Sequence, residues 1–322
     1  LIVFSAEDAQ EWCDEGETEV ENVYINSTGS DAVDLTCIET ITGYLEIENT
    51  VAPSIDLSNV STIGDELYIH DNDDLESIDL SGLVTVDSYV SISGNNELET
   101  IELSALEEID GYFNVNSHEY LEDIDLASLT YIGNYLYLND NDVWTDVYLP
   151  SLEELGGYLE IYGHWSYGIE TFSAPSLVTI GGNLNLQYNY EFEEVHLDAL
   201  EEVAGQVYIY QNQYIEEISL SSLQEVSSSF YIYNSDYFDE LMLDNLTDVG
   251  GSFSVSENGA IETLYAPLFE NLGSNLYIQE NPNLTSIDLS SLECVDDYTI
   301  EGNDLTEEEQ YDLLVQLTCA SE

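Results

Sequence analysis

Short runs in which apolar and polar residues alternate recur along the whole chain, separated by polar turns. One such repeat starts with Leu67-Tyr68-Ile69 and continues with Leu75, a second triplet over residues 78–80, Leu83 and Val86. Alternation at period two over three or four residues predicts short strands that bury one side, rather than an amphipathic helix. Each repeat is therefore expected to form two strands and a third apolar corner.

The first apolar triplet of the repeat occurs twelve times, at a spacing of 22 to 25 residues. A period in this range is typical of a solenoid, because each repeat can bury its apolar side only against its neighbours. We therefore predict a mostly β fold, a parallel β-solenoid of about twelve coils, with adjacent coils about 4.8 Å apart. The triplets begin at Leu45, Leu67, Val90, Phe113, Leu136, Leu159, Leu184, Val207, Phe230, Phe253, Leu276 and Tyr298.

An Asn recurs five residues after the start of the triplet, where the chain is expected to turn. An Asn side chain can satisfy backbone groups at a turn, and Asn tolerates the left-handed conformation, so we interpret these residues as an architectural ladder. His118 and His164 occupy the same position in two repeats. The ladder consists of Asn72, Asn95, Asn141, Asn189, Asn212, Asn258, Asn281 and Asn303.

The ends of the chain look like caps on a single structural domain: an N-terminal strand and cap (residues 1–43), the solenoid repeats (44–303) and a C-terminal helical cap (304–322). Residues 1–6, which read LIVFSA without a starting Met, predict an apolar strand that plugs the open end of this solenoid or of a neighbouring copy. The tail of a signal segment is the alternative. Thr306 and Glu309 form a capping box that opens a helix. Its apolar side is expected to carry Tyr311, Leu313, Leu314 and Leu317.

The four Cys residues allow three pairings. We expect the disulfides Cys13–Cys37 and Cys294–Cys319, one at each terminus, because a solenoid keeps its ends apart. The alternative of four reduced, buried thiols stays open. Disulfides, together with glycosylation sequons such as the one at Asn26, indicate an extracellular location.

The charge balance is extreme, with 68 Asp and Glu residues, no Lys, no Arg and a formal net charge of −68. Without basic residues the chain cannot form an Arg clamp, a Schiff-base Lys or a basic groove, which excludes ordinary phosphate-binding enzymes and nucleic-acid binders. A chain that is 43% hydrophobic, with 25 Tyr, is nevertheless expected to fold. It has no stretch of about 20 apolar residues that would span a membrane.

Carboxylates recur two residues before the Ile of the second strand and should stack in register from coil to coil. At that spacing each like-charged pair costs about 0.9 kcal/mol even at the dielectric constant of water. We therefore expect divalent cations or a salty medium to offset the repulsion. This acidic ladder consists of Glu76, Glu99, Glu122, Glu170, Glu193, Glu216, Asp239 and Glu262.

Two acidic turns hold the densest clusters of side-chain oxygens, Asp71, Asp73 and Asp74 in one and Asp140 and Asp142 in the other. Carboxylate oxygens are the ligands that Ca²⁺ prefers. The turns lack the Gly and terminal Glu spacing of an EF-hand loop. They are the predicted Ca²⁺ sites, and no other cofactor is expected.

Tyrosines occupy many outward positions of the strands that contain the first triplet. Tyr is common on exposed strands for purely structural reasons. A contiguous aromatic sheet also marks a surface for ligand binding or assembly. Trp144 and Trp165 are expected on turns at the edge of this sheet, where they would add a specific contact. The tyrosines of this predicted surface are Tyr68, Tyr137, Tyr208, Tyr210, Tyr231, Tyr233 and Tyr277.

Nothing in the sequence indicates catalysis. The four His residues occupy separate repeats, and no motif places a second His or a Cys near any of them. Paired carboxylates abound, but nothing distinguishes a glycosidase pair from a solvated acidic surface. We therefore expect that the protein is not an enzyme.

The period of 22 to 25 residues, the L-x-I triplets, the turn Asn and the terminal Cys pairs together resemble the receptor L-domain and related leucine-rich-repeat-like solenoids of bacterial surfaces and fungal cell walls. The resemblance covers residues 45–303. It implies an extracellular, non-catalytic solenoid used for recognition or for wall structure.

We expect an acidic structural or recognition protein of the cell surface or matrix, which binds cations and self-assembles into larger polymers such as filaments. One alternative is an adhesin or a module that binds a glycan or a protein. A second is a polyanionic mimic of nucleic acid. The expected partners are divalent cations and either copies of the chain or surface glycans, with no nucleic acid and no membrane span.

Overall fold

The computed structural model describes residues 1–163, 168–293, 295 and 297–318. They fall into two compact units, the first with residues 1–155, 168 and 169, and the second with residues 156–163 and those from 170 onward. Each unit is a parallel β-solenoid, which confirms the predicted fold class, and the turns number about 13 in all. The sequence pattern missed one coil, because the strand Val23–Asn26, 22 residues before Leu45, already belongs to the repeat.

Face A, the first of three faces that the chain passes in each coil, carries the longest strands. In the first unit they are Ile2–Val3, Val23–Asn26, Leu45–Glu48, Leu67–His70, Val90–Ser93, Phe113–His118 and Leu136–Asn141. In the second unit they are Leu159–Tyr162, Leu184–Gln187, Val207–Tyr210, Phe230–Tyr233, Phe253–Ser256, Leu276–Gln279 and Tyr298–Glu301.

Face B follows the turn after each long strand. Its strands in the first unit are Val33–Asp34, Ser54–Asp56, Ser77–Asp79, Thr100–Glu102, Asp123–Ile124 and Asp146–Tyr148. In the second unit they are Thr171–Ser173, Glu194–His196, Glu217–Ser219, Glu240–Met242, Thr263–Tyr265 and Ser286–Asp288.

Face C carries two-residue strands at the position of the predicted third corner. In the first unit they are Glu19–Val20, Thr40–Ile41, Thr62–Ile63, Thr85–Val86, Glu108–Ile109, Tyr131–Ile132 and Glu154–Leu155. In the second unit they are Thr179–Ile180, Glu202–Val203, Glu225–Val226, Asp248–Val249 and Asn271–Leu272.

Neighbouring coils pair in parallel with equivalent residues side by side. On face A, for example, Leu67 pairs with Val90 and Ile69 with Ile92. All four of these side chains point inward and are fully buried. Because strand side chains alternate between the two sides of a sheet, the residues between them point outward. The repeat thus builds a core of stacked aliphatic and aromatic side chains and a set of outward columns with one residue per coil.

The Asn ladder is architectural, as predicted. Asn72 donates from Nδ2 to the carbonyl oxygen of Ile47 at 3.0 Å and to Oδ1 of Asn95 in the next coil at 2.8 Å. The left-handed residue is the one before the Asn, as at Asp71 with φ of 53°, and not the Asn itself as expected. The turn at that preceding residue directs the Asn side chain into the core, where it is fully buried.

The N-terminal end is closed as expected, with one addition. Ile2–Val3 pairs in parallel with Tyr24 and Ile25, so the apolar segment plugs its own solenoid. The disulfide Cys13–Cys37 is present, with its Cα atoms 5.5 Å apart. The helix α1, Ala6–Glu15, was not predicted, because its acidic sequence buries only Ala9 and has no apolar stripe.

The C-terminal helix α2, Glu307–Leu317, begins at the predicted capping box of Thr306 and Glu309. It buries Leu313 and Leu317, which are one helical turn apart. Tyr311 is 67% exposed, so its assignment to the apolar side was wrong. Tyr311 is two residues before Leu313, and residues at that spacing point to different sides of a helix. The predicted disulfide Cys294–Cys319 lies outside the described residues. Within the described ranges, no helix is long and apolar enough to cross a membrane.

Candidate recognition surface and acidic ladders

Five consecutive strands on face A of the second unit present a surface without charge. We define the uncharged patch as the outward residues of the five consecutive strands between residues 184 and 279. The same coils carry acids on the other two faces: Glu194, Glu217 and Glu240 on face B, and Glu202, Glu225 and Asp248 on face C. The patch consists of Asn185, Gln187, Tyr208, Tyr210, Tyr231, Tyr233, Ser254, Ser256, Tyr277 and Gln279.

Four of the predicted tyrosines pack together at the centre of this patch. The ring of Tyr208 contacts that of Tyr233 edge to face, with centroids 5.5 Å apart and planes at 88°. Tyr210 and Tyr233 have centroids 5.1 Å apart, and Tyr208 and Tyr231 lie 6.2 Å apart. This edge-to-face geometry is the favoured arrangement of aromatic pairs. The rings are half-buried, so they form a fixed, pre-organised surface rather than a set of mobile side chains.

The packing also raises the pKa of two of these phenols, Tyr210 and Tyr233. Desolvation, followed by hydrogen bonding and proximity to Tyr208, raises the pKa of Tyr233 far above its ordinary value. Desolvation and the neighbouring Tyr188 raise the pKa of Tyr210. The cluster offers aromatic faces and phenol hydroxyl groups, each of which can donate and accept a hydrogen bond.

The remaining predicted tyrosines lie apart from this cluster. Tyr277 belongs to the patch, and its hydroxyl oxygen accepts a hydrogen bond from Nδ2 of Asn275 at 2.6 Å. Tyr68 and Tyr137 lie on face A of the first unit, where Tyr68 stacks on His70 with centroids 3.9 Å apart. Sequence alone did not separate Tyr68, Tyr137 and Tyr277 from Tyr208 and Tyr231, because all five are the second residue of their strands.

A second set of tyrosines stacks in the first unit, one residue before the face A strands. Tyr112 lies parallel to Tyr89 with centroids 4.6 Å apart, and parallel to Tyr135 with centroids 4.5 Å apart. Burial first, and then the neighbouring phenols, raise the pKa of Tyr112 to about 12. This stacked column follows the coil spacing and contributes to packing between coils.

The acidic ladder is stacked in register through its backbone. The amide of Glu99 donates to the carbonyl oxygen of Glu76 at 2.9 Å, and the amide of Glu122 donates to that of Glu99 at 3.1 Å. In the second unit Glu193 and Glu216 repeat the pattern, and so does the amide of Glu262, which donates to the carbonyl of Asp239 at 2.7 Å. All of these side chains are exposed.

The electrostatic effect of that stacking is visible at Glu193. Desolvation is the largest cause of its raised pKa, and repulsion from Glu170 and Glu216 is the next. A raised carboxyl pKa means that the folded state disfavours the charged form. At Glu193 the charged carboxylate therefore opposes folding at neutral pH.

The predicted Ca²⁺ turns do not gather their carboxylates. Asp71 directs Oδ2 towards His70 Nδ1 at 3.1 Å, while Asp73 and Asp74 are exposed. Desolvation and the nearby Asp142 raise the pKa of Asp140. In the part of the chain that the structure describes, the one group of three candidate ligands within 4.8 Å of one another is Glu46, Glu48 and His70. Calcium binding at the aspartate turns stays a prediction.

Trp144 does not lie at the expected edge of the surface. Trp144 is only 1% exposed, and its Nε1 donates to the carbonyl oxygen of Asp146 at 3.1 Å. The prediction of a ligand contact there was wrong, because Trp144 follows Leu75, Leu98 and Leu121 at intervals of 23 residues and fills the same core position. Trp165 lies outside the described residues.

The described His residues occupy three different settings. His118 replaces an Asn of the ladder, and burial lowers its pKa. His196 on face B directs Nε2 to Glu194 Oε2 at 3.0 Å. His70 lies on face A against two carboxylates. His164 lies outside the described residues. The absence of an enzymatic role stays a prediction.

The chain has no match among protein-family models, and no curated protein sequence matches it. The resemblance to the receptor L-domain therefore stays a prediction from the repeat pattern.

Proposed function

We propose that the protein is a non-enzymatic recognition solenoid of the cell exterior whose uncharged patch binds a neutral, hydroxyl-rich polymer such as a surface glycan. The observation that carries the proposal is the contrast between faces within the same coils. Where faces B and C carry Glu217 and Glu225, face A carries Tyr208 and Tyr210. A chain with a net charge of −68 repels anionic ligands, and the uncharged patch is where a neutral one can approach.

The chemistry of the patch suits such a ligand. Half-buried Tyr rings provide flat apolar surfaces for the C–H faces of sugar rings, and they lose little conformational entropy on binding because they are already packed. The amides of Asn185, Gln187 and Gln279 can donate to and accept from hydroxyl groups. Because the coils repeat every 4.8 Å or so, the patch offers equivalent contacts along an extended polymer.

The rest of the molecule is consistent with an exterior location. The disulfide Cys13–Cys37 closes the N-terminal cap, and structural disulfides persist in oxidising compartments. Exposed carboxylates on faces B and C would hold a layer of exchangeable cations, which keeps the protein soluble while the patch binds. In this proposal the acidic surface is a hydrated coat and the patch is the binding site.

The experiment that tests the proposal is a binding assay on cellulose, chitin and a soluble β-glucan. The test variant is Tyr208→Ala with Tyr231→Ala, and the matched control is Tyr148→Ala, an exposed tyrosine on face B. We expect the wild type and the control to bind at least one polymer equally, and the double variant at least tenfold more weakly. Binding should change little with salt, because the ligand is neutral.

Two results would overturn the proposal: no binding to any of the three polymers, or an equal loss of binding in the control. Circular dichroism and thermal melting of each variant separate a lost contact from a lost fold. Light scattering over a range of concentrations gives the other outcome, in which the patch binds copies of the chain and only the double variant stays monomeric. That outcome would mean that the function of the patch is self-assembly and not glycan binding.

A further inference from the structure

Two carboxylates and an imidazole meet on face A of the first unit. Glu46 and Glu48 lie on one strand, and His70 lies on the next strand in direct register with Glu48. The distance from His70 Nε2 is 3.3 Å to Glu46 Oε1 and 3.7 Å to Glu48 Oε2. The three candidate ligand atoms all lie within 4.8 Å of one another.

These separations match the geometry of a tetrahedral metal ion. A zinc ion binds His nitrogen and Glu oxygen at about 2.1 Å, so that two ligands of a tetrahedral site lie about 3.4 Å apart. The two distances from His70 Nε2 fall on either side of that value. A cation between the three groups would need only small side-chain rotations to bind all of them.

The groups around the cluster hold each ligand in place. His70 is only 9% exposed, its ring stacks on Tyr68, and its Nδ1 contacts Asp71 Oδ2 at 3.1 Å. A carboxylate on the second nitrogen of a metal-binding His is the usual device that fixes its tautomer and orientation. Tyr24 and Asn26 both donate to Oε1 of Glu48, which leaves Oε2 directed towards His70.

The charges at this point favour a bound cation. When Nδ1 of His70 donates to Asp71, the lone pair of Nε2 faces the carboxylates of Glu46 and Glu48. The space between these three groups is then lined by electron-pair donors alone. The chain contains no Lys or Arg that could fill it. The only other occupant from the chain itself is a proton on His70.

We propose that Glu46, Glu48 and His70 form a binding site for Zn²⁺, with a water molecule as the fourth ligand. Zn²⁺ accepts one imidazole and two carboxylates, and an open fourth position is usual in sites with three protein ligands. The site lies in the first unit and does not depend on the proposed glycan binding in the second. It differs from the acidic ladders in having a nitrogen ligand, and therefore in selecting Zn²⁺ over Ca²⁺.

The matched control is His196. Its Nε2 lies 3.0 Å from Glu194 Oε2, but the second carboxylate, Glu217, faces the other ring nitrogen at 3.9 Å. Because the two carboxylates lie on opposite nitrogens, His196 cannot bind one ion together with both of them. His196→Gln should therefore leave tight Zn²⁺ binding unchanged.

The experiment is calorimetric titration of the full chain with Zn²⁺ in excess Ca²⁺, which fills the exposed carboxylates. We expect one tight site, weakened at least tenfold by His70→Gln and by Glu46→Gln and unaffected by His196→Gln. Co²⁺ in place of Zn²⁺ should give the intense visible absorption of a tetrahedral ion, and that absorption should vanish in His70→Gln.

Two outcomes would overturn the site. One is Zn²⁺ binding that excess Ca²⁺ abolishes, and the other is binding that is equally strong in His70→Gln and in His196→Gln. Thermal melting without metal verifies that each variant folds. If His70→Gln does not fold, the test depends on Glu46→Gln.

Discussion

His118 lies directly beside Asn141 in the next coil of face A, and Oδ1 of Asn141 has no hydrogen-bond partner among the described residues. Elsewhere in the ladder an Asn fills the position of His118 and supplies the missing donor. Asn189, for example, donates from Nδ2 to Oδ1 of Asn212 at 3.1 Å. The His ring instead directs its two nitrogens to the carbonyl oxygens of Asn95 and Ile92. One His thus interrupts the chain of side-chain hydrogen bonds between Asn95 and Asn141.

Replacing His118 by Asn should therefore stabilise the fold. The new Nδ2 can donate to Asn141 Oδ1, and satisfying a buried acceptor contributes about 1 kcal/mol to the free energy of unfolding. His118→Ala, which removes the hydrogen bond from the ring to a backbone carbonyl and leaves a cavity, should destabilise. Chemical denaturation of the three proteins measures both effects. A His118→Asn protein that is less stable than the wild type would contradict this account of the ladder.

The corners between coils leave no room for a side chain at Gly133. A Cβ atom there would lie 2.1 Å from the carbonyl oxygen of Asp110 in the preceding coil. Gly133→Ala should therefore push the two coils apart and lower the free energy of unfolding by about 2–3 kcal/mol. Gly29→Ala is the control, since a Cβ at Gly29 meets nothing within 4 Å. Equal stability of the two variants in a urea titration would show that the coils are less closely packed.

Much of this fold could be predicted from the repeat alone. Its period fixed which residues are buried, and the same period, applied strictly, places Trp144 in the core column of Leu121 and Val23 one repeat before Leu45. The helix α1 could not be predicted in the same way, because only Ala9 is buried and its position depends on Cys37 and on the first strand.

The candidate site was less accessible to sequence reasoning. Aligning the repeats would have placed Glu48 beside His70, but the repeat does not indicate that Asp71 and Tyr24 orient them. The orientation of an outward side chain depends on its neighbours in two adjacent coils. Which residues are buried in the core, by contrast, follows from their hydrophobicity. For the same reason the edge-to-face packing of Tyr208 and Tyr233 is a property of the structure and not of the pattern.

Removing charge from the acidic ladder should stabilise the protein at neutral pH. The pKa of Glu193 is raised, so its carboxyl group stays protonated to a higher pH in the folded chain than in the unfolded chain. The free energy of unfolding therefore falls as pH rises from the ordinary carboxyl pKa through the raised one, and the penalty is fully present at pH 7. Exposed charges are screened, so each substitution is worth a few tenths of a kcal/mol.

The test variant carries Gln at Glu170, Glu193 and Glu216. Its gain in stability at pH 7 should disappear in millimolar Ca²⁺, which neutralises the wild-type ladder, and also below the ordinary carboxyl pKa. Glu309→Gln is the control of opposite sign, because hydrogen bonds from Thr306 lower the pKa of Glu309 and its charge stabilises the capping box. A triple variant that melts no higher than the wild type at low salt would refute the repulsion.

Alkaline pH should destabilise the stacked tyrosine column. The pKa of Tyr112 is raised from 10.0 to about 12, so between those values the unfolded chain has released a proton that the folded chain retains. The stabilisation is complete below pH 10 and is lost as pH rises to about 12. Tyr112→Phe, which cannot ionise, should therefore move the alkaline unfolding midpoint to higher pH.

Tyrosinate absorbance and circular dichroism, followed together, measure this transition. Tyr148→Phe serves as the control because Tyr148 is exposed on face B and lies outside the stacked column of Tyr89, Tyr112 and Tyr135. The prediction fails if tyrosinate forms completely before any loss of β structure, or if both Phe variants shift the midpoint equally.

The uncharged patch as the place of recognition is the central claim, and chemical footprinting tests it most directly. Tyrosines are nitrated with and without the polymer that binds, and the products are mapped after cleavage at Glu, since the chain has no Lys or Arg for trypsin. We predict that the polymer protects Tyr208 and Tyr231 and leaves Tyr148 and Tyr237, which are exposed outside the patch, unchanged. Protection of Tyr148 or Tyr237 with none at Tyr208 and Tyr231 would contradict the account and move the binding surface away from face A.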